Sequence, residues 1–180
     1  GDSKTGANNL KDFVNKFIVG TIQLGYYPTE REDVVFDMAP ADWVSSAIVR
    51  IGQSPESVGN AYHLFNGVAP AASTLASIAR SANSYPTRSW AELKPLPFKE
   101  WKTILEGTCR GQGGESMTNV ENALTPILSY FSGSRFPRVR IFDCDKTFRM
   151  LDHLLLHHAP AITEDILHRY ILFYQRNGLL

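Results

Sequence analysis

Residues 34–38 and 61–65 are short, apolar stretches bounded by turn residues, and they flank a helical pattern that opens at Pro40 and closes at Gly52. This strand, helix, strand order restricts the fold more than any other feature, because two short strands do not make a stable sheet by themselves. The second strand would be satisfied by joining a parallel sheet carried by another segment. The helix would then cover one face of that sheet with a buried stripe of Trp43, Val44, Ala47, Ile48 and Ile51.

Helical periodicity accounts for most of the remainder. Leu10, Phe13, Val14, Phe17, Ile18 and Ile22 share one face, with Asn8 or Asn9 as the cap and Gly25 as the stop. Ser73 is expected to cap a helix running to about Ala82. Pro86 favours an extended stretch over 85–90, Pro95 and Pro97 punctuate, and Trp101, Ile104 and Leu105 suit a short helix. The glycines of 108–115 predict a loop. Over 120–131 the helical pattern returns, but Pro126 must kink or divide it. Residues 138–143 read as extended, and Phe148, Leu151, Leu154 and Leu155 mark another helix. Thr163 caps the last one, with Glu164 and Asp165 at its positive end and Ile166, Leu167, Tyr170, Ile171 and Tyr174 as its apolar face.

Composition narrows the function classes. At 180 residues and 43% hydrophobic, the chain can bury one core of its own. Eighteen basic residues balance eighteen acidic ones, with no basic stripe, which argues against nucleic acid and anionic membrane as partners. Cys109 and Cys144 have neither metal-ligand spacing nor the density of a disulfide scaffold, so a reduced, cytoplasmic setting is the simpler expectation. No apolar run is long enough to cross a bilayer. Gly1 in place of a methionine suggests an excised piece or a tag remnant.

Familiar catalytic patterns fail on inspection. The best approach to a dinucleotide turn, Gly111-Gln-Gly113-Gly114-Glu-Ser116, has serine at the third glycine position and no strand before it. Gly1-Asp-Ser3-Lys-Thr5 lacks the second glycine of a nucleophile elbow, and its lysine is misplaced for a phosphate-cradling loop. His153 and His157 stand one helical turn apart beside Asp152, with His158 next to them, but no spacing supplies a third metal ligand. His63 reads as a core or lobe-facing residue.

Three stretches carry a resemblance. They are Gly1-Asp-Ser-Lys-Thr-Gly6-Ala-Asn-Asn-Leu-Lys-Asp12-Phe; then Phe36-Asp-Met-Ala-Pro40-Ala-Asp42-Trp-Val44-Ser-Ser-Ala47 with Asn60-Ala-Tyr-His63-Leu-Phe-Asn66; and last Pro160-Ala-Ile-Thr163-Glu-Asp-Ile-Leu-His-Arg-Tyr170 with Gly178-Leu-Leu. The first resembles the segment after the catalytic centre in NAD(P)H-dependent thioester reductase domains, found in polyketide synthases, nonribosomal peptide synthetases and aminoadipate reductase. The resemblance implies a mostly helical α+β fold: the substrate-binding lobe of an extended short-chain dehydrogenase of Rossmann type, with one or two strands returning to an absent nucleotide-binding sheet. Residues 1–72 would pack on the missing Rossmann half, with 1–9 as the active-site loop, and 73–180 would form the helical lobe.

The same resemblance places Ser3, Thr5 and Asn8 near the substrate end of a phosphopantetheine arm, where small hydroxyl and amide groups can meet an acyl carbonyl without a charge to desolvate. Lys4 and Lys11 could meet the arm's phosphate, and Trp90 and Trp101, flanking Pro95 and Pro97, would line the cleft. Family reductases use a tyrosine with a lysine four residues on as proton donor. Here the positions four residues after the tyrosines are Glu30, Arg31, Asn66, Ser89, Ser134, Tyr174 and Gly178. The implied whole is a reductase releasing a carrier-bound acyl, polyketide or peptidyl thioester as aldehyde or alcohol, with NADPH as cofactor and an acyl or peptidyl carrier protein as partner. This chain alone would be inactive, would bind no cofactor or metal, and would self-associate through its uncovered face. The lobe of a fatty acyl-CoA reductase or sugar-nucleotide epimerase, or a non-catalytic helical interaction module, are the alternatives.

Overall fold

A computed structural model describes residues 1–30, 34–66, 74–109, 121–136 and 143–180. Six α-helices, two 3-10 helices and one pair of strands make up the regular structure of these residues. Helix α1, Phe13–Leu24, starts later than Asn8 or Asn9 would set it. Asp12 is the N-cap, its carboxylate accepting the Val14 N–H at 3.1 Å, while the Asn9 side chain folds into a local turn by accepting the Lys11 N–H at 3.1 Å. Gly25 ends α1 as expected, at a left-handed φ of 75°, and its N–H closes on Ile22 and Thr21.

The sheet is not where the hydrophobic runs put it. Strand β1, Tyr26–Thr29, pairs in parallel with β2, Lys94–Pro97, in the register Tyr26 to Lys94 and Thr29 to Pro97. Pro95 and Pro97, which look like strand breakers, are tolerated because both strands of a two-stranded sheet are edges with one side free of ladder bonds. Residues 34–38 contribute a single antiparallel bridge, Val35 to Thr74, and 61–66 form no strand. The short apolar runs there are used for packing rather than for pairing.

Helix α2 is Ala41–Gly52 and follows Pro40 as the sequence requires, with a 3-10 turn at Pro55–Ser57 after it. Its stripe is only partly covered, since Ala47 and Ile51 are buried while Ile48 is 57% exposed. Helix α3, Leu75–Ser84, is capped by Thr74, whose hydroxyl accepts the Ser77 N–H; Ser73 lies outside the described residues. Helix α4 is Phe98–Cys109. The periodic stretch around Pro126 is a 3-10 helix, Thr125–Phe131, with the proline in its first turn. Helix α5, Asp145–His153, stops before Leu155, which sits at φ 53° and is 89% exposed. Helix α6, Glu164–Arg176, has the Thr163 cap and the two first-turn acids read from the sequence. The glycine loop after Arg110 and most of 138–143 lie outside the described residues.

Two hydrophobic clusters result. In the larger, Phe17 is surrounded by Phe36 at 5.1 Å, Phe136 at 5.4 Å edge-on, Phe131 and Trp101, and α3, α4 and α6 close around them. The smaller joins Ala47 and Ile51 of α2 to Met150 and Leu151 of α5, with Trp43, Tyr62 and Phe148 at its margin. Each cluster draws on residues before and after position 72, a boundary that itself lies outside the described residues.

Candidate functional site

The opening loop, residues 1–9, is a closed turn lying across the start of α2 and the middle of α6. Asp2 organises its interior. One carboxylate oxygen accepts the N–H groups of Lys4 and Thr5 and the Thr5 hydroxyl, at 3.0, 2.7 and 2.8 Å. The Asp2 N–H reaches the Ala7 carbonyl at 2.8 Å. Hydrogen bonds from Thr5 hold the Asp2 carboxyl below its ordinary value.

Outward contacts fasten the turn on two sides. Toward α2, Ser3 donates its N–H and its hydroxyl to the two oxygens of Asp42, at 3.0 and 2.7 Å, and the Ala41 N–H reaches the Gly1 carbonyl at 2.8 Å. Burial works to raise the Asp42 carboxyl, but the Ser3 bonds outweigh it and the net shift is downward. Toward α6, Arg169 donates to the Ser3 carbonyl at 2.6 Å, and the Tyr170 hydroxyl donates to the Gly1 carbonyl at 3.0 Å. Burial pushes the Tyr170 phenol up to about 12, so it stays protonated and remains a donor. Gly6 sits at φ 77°, and a methyl there would stand 2.2 Å from the Arg169 carbonyl oxygen.

These contacts decide what the predicted residues can offer. The hydroxyl protons of Ser3 and Thr5 are committed to Asp42 and Asp2, and Asn8 donates to the Gly6 carbonyl at 2.9 Å instead of capping α1. The open valence in this turn is an acceptor, Asn8 Oδ1, which is buried with no hydrogen-bond partner. Lys4 is exposed at the turn's edge.

The two tryptophans part company. Trp101 has no accessible surface, donates Nε1 to the Tyr26 carbonyl at 3.1 Å and packs on Phe131 at 5.2 Å; it is a core residue and lines no cleft. Its spacing with Leu105 signals that burial, whereas the prolines beside it do not signal a cleft. Trp90 is half-buried and stacked on Tyr85 at 5.8 Å, with Nε1 buried and unpaired. His153 faces Glu56 at 3.3 Å, while His158 contacts Asp152 at 2.8 Å and stacks on Phe148, so the histidines diverge. No group of metal-binding side chains forms among the described residues, and no helix among them is long and apolar enough to cross a membrane. His63 is exposed.

Among the described residues, the strand-to-helix junction of β2 and α4 runs directly from Pro97 to Phe98.

What sequence reasoning passed over is Asp42, Arg169 and Tyr170. Asp42 stood within a quoted motif, two residues after the proline that opens α2, and that position in a helix's first turn was the available signal.

No protein-family model matches the chain. The nonribosomal peptide synthetase FrzA of Cladobotryum sp is 32% identical over 183 residues, covering 86% of this chain and 16% of the relative. A linear gramicidin synthase from Brevibacillus parabrevis is 28% identical across 100% of this chain and 3% of its own length. L-2-aminoadipate reductase of Schizosaccharomyces pombe is 41% identical over 56 residues, 31% of this chain and 4% of the relative. The chain therefore spans under a fifth of these much longer relatives. Among solved structures, the terminal R domain from the myxalamid PKS-NRPS biosynthetic pathway superposes on 100% of this chain and 42% of its own, with a TM-score of 0.77 and 24% identity. A thiolation-reductase di-domain from an archaeal non-ribosomal peptide synthetase covers 99% of this chain and 34% of its own, with a TM-score of 0.66 and 18% identity. In sequence the chain is similar to stretches of nonribosomal peptide synthetases and of L-2-aminoadipate reductase, and its fold is that of part of a terminal R domain.

Proposed function

We propose that this chain is the substrate-binding C-terminal portion of an NADPH-dependent thioester reductase, one that releases a carrier-bound acyl, polyketide or peptidyl thioester as an aldehyde or alcohol. The observation that supports this reading most is the agreement in fold over the whole chain with part of a terminal R domain, joined to sequence similarity with peptide synthetases. In this reading the cofactor is bound by the remainder of the domain. Its partners are then that nucleotide-binding portion, which would cover the open side of α2, and an acyl or peptidyl carrier protein bringing the thioester on its phosphopantetheine arm. Ser3, Thr5 and Asn8 border the thioester in this reading, and Trp90, unlike Trp101, keeps surface to meet it.

The decisive measurement is NADPH oxidation by the intact reductase containing this segment, with an acyl thioester loaded on a carrier protein and the corresponding free acid as control. Oxidation with the thioester alone is expected. No oxidation with a range of acyl groups would overturn the reading. The isolated chain titrated with NADPH should give a flat fluorescence response, and saturable micromolar binding would refute the assignment of the cofactor site elsewhere.

A further inference from the structure

Helices α2 and α6 belong to different hydrophobic clusters: Ala47 and Ile51 of α2 pack with α5, whereas α6 packs with α3 in the larger cluster. The opening loop is bonded to both. Ser3 is held from each side, by Asp42 through its N–H and hydroxyl and by Arg169 through its carbonyl. The two donors of Ser3 converge on one side chain. A carboxylate meets that demand directly, since it is acceptor-only and offers an oxygen to each donor. Asp42 also lies in the first turn of α2, where the free N–H groups favour an anion.

We infer that Asp42 is a positioning residue: by holding Ser3 it fixes the opening turn, and with it Thr5 and Asn8, in place against α2. The functional half of this inference rests on the proposed assignment of the loop to the thioester. It differs from a plain helix-start role, in which Asp42 would stabilise α2 without reference to Ser3. A first-turn acid of that kind affects the melting temperature but leaves the Ser3 amide untouched. The clamp predicts coupling between the two residues and a local response in the turn.

The test compares wild type, Asp42→Ala, Ser3→Ala, the double variant and Asp42→Asn. In the chain itself, hydrogen exchange at residues 1–7 is followed by NMR; in the intact reductase, KM and kcat are measured for a carrier-bound thioester. Asp42→Ala should speed exchange of the Ser3 amide about tenfold, and adding Ser3→Ala should change the rest of the turn little further. Asp42→Asn, which keeps an acceptor for that amide, should restore most of the protection. KM should rise several-fold in Asp42→Ala with kcat nearly constant, because the turn is displaced rather than the reacting groups. Unchanged exchange at Ser3 would overturn the positioning role whatever the kinetics. Faster exchange with unchanged KM would overturn the assignment of the loop to the thioester, and the functional half of the inference with it.

Discussion

Replacing Gly6 by alanine should destabilise the chain by about 3–5 kcal/mol, through two separable causes. The first is conformational. At φ 77° an alanine occupies the left-handed region, which costs roughly 1–2 kcal/mol for a residue with a Cβ. The second is contact. The new methyl would lie 2.2 Å from the Arg169 carbonyl oxygen and 2.6 Å from its carbon, so something must retreat by about 1 Å to reach ordinary van der Waals separation. The obstacle is the backbone of α6, locked in place by the buried Tyr170 and Tyr174, so it cannot rotate aside as a side chain would. The loop must lift instead. Lifting stretches the bonds from Arg169 to Ser3 and from Tyr170 to Gly1, each worth about 1 kcal/mol or somewhat more where charge assists.

Gly25 supplies the control, for it has φ 75° and nothing within 4 Å of the added methyl. Gly25→Ala should carry the conformational cost alone. Urea unfolding of both variants, analysed for the change in midpoint at constant slope, isolates the difference. In thermal unfolding, the corresponding losses are about 6–20 °C for Gly6→Ala and about 2–8 °C for Gly25→Ala. Equal losses would refute the reasoning, because they would mean that the opening loop is not seated on α6 in solution.

Further outcomes follow from the same contacts. Tyr170→Phe should cost about 1 kcal/mol at pH 7, since the Gly1 carbonyl keeps its bond from Ala41. The wild-type phenol, raised from 10.0 to about 12 by burial, favours folding only while protonated, so stability should fall as pH climbs from 10 toward 12. Urea midpoints across that window should therefore bring the variant closer to wild type, and a constant gap would count against a buried Tyr170. Thr5→Val removes the bond to Asp2 and the acceptor for Ala7, so an NMR titration should show the Asp2 carboxyl moving back up toward its ordinary value. In the intact reductase this change should impair thioester turnover more than NADPH affinity; unchanged turnover with intact folding returns Thr5 to structure alone. For association, light scattering should find the isolated chain self-associated and a Val44→Lys variant less so, with the distal helices still folded. A strictly monomeric wild type would refute that.

Local signals were legible and non-local ones were not. The Gly25 stop, the start of α2 after Pro40 and the Thr163 cap are each decided within a few residues, so the sequence carries them openly. The β1 and β2 pairing joins positions 68 apart, Tyr26 to Lys94, and is stabilised by the Trp101 indole bonding the Tyr26 carbonyl, a contact that no periodicity announces. Residues 34–38 show the reverse error: an apolar pattern reads as a strand, but Phe36 is buried as a packing residue beside Phe17 and needs no ladder. In the site, residue types alone suggested donors for a carbonyl. Only in the folded chain do Ser3 and Thr5 commit their protons to Asp42 and Asp2.

Helix α2 ties the fold to the proposed function. Ala47 and Ile51 face α5, while Ile48 and Val49 stay 57% and 55% exposed on another side of the same helix. A helix with apolar residues on two sides needs two covers, and α5 supplies one. Each half-exposed Ile or Val forgoes roughly 1 kcal/mol of burial relative to a covered position, which is a small sum for a helix held by α5 but a useful one for an interface. The opening loop is bonded to the start of this helix through Ala41 and Asp42. A nucleotide-binding portion docked on the second side of α2 would thus be connected, through a few hydrogen bonds, to the turn assigned to the thioester. Cofactor portion and substrate turn would then share one rigid reference, which is what transfer between two bound reactants demands, because misplacement of about 1 Å is costly.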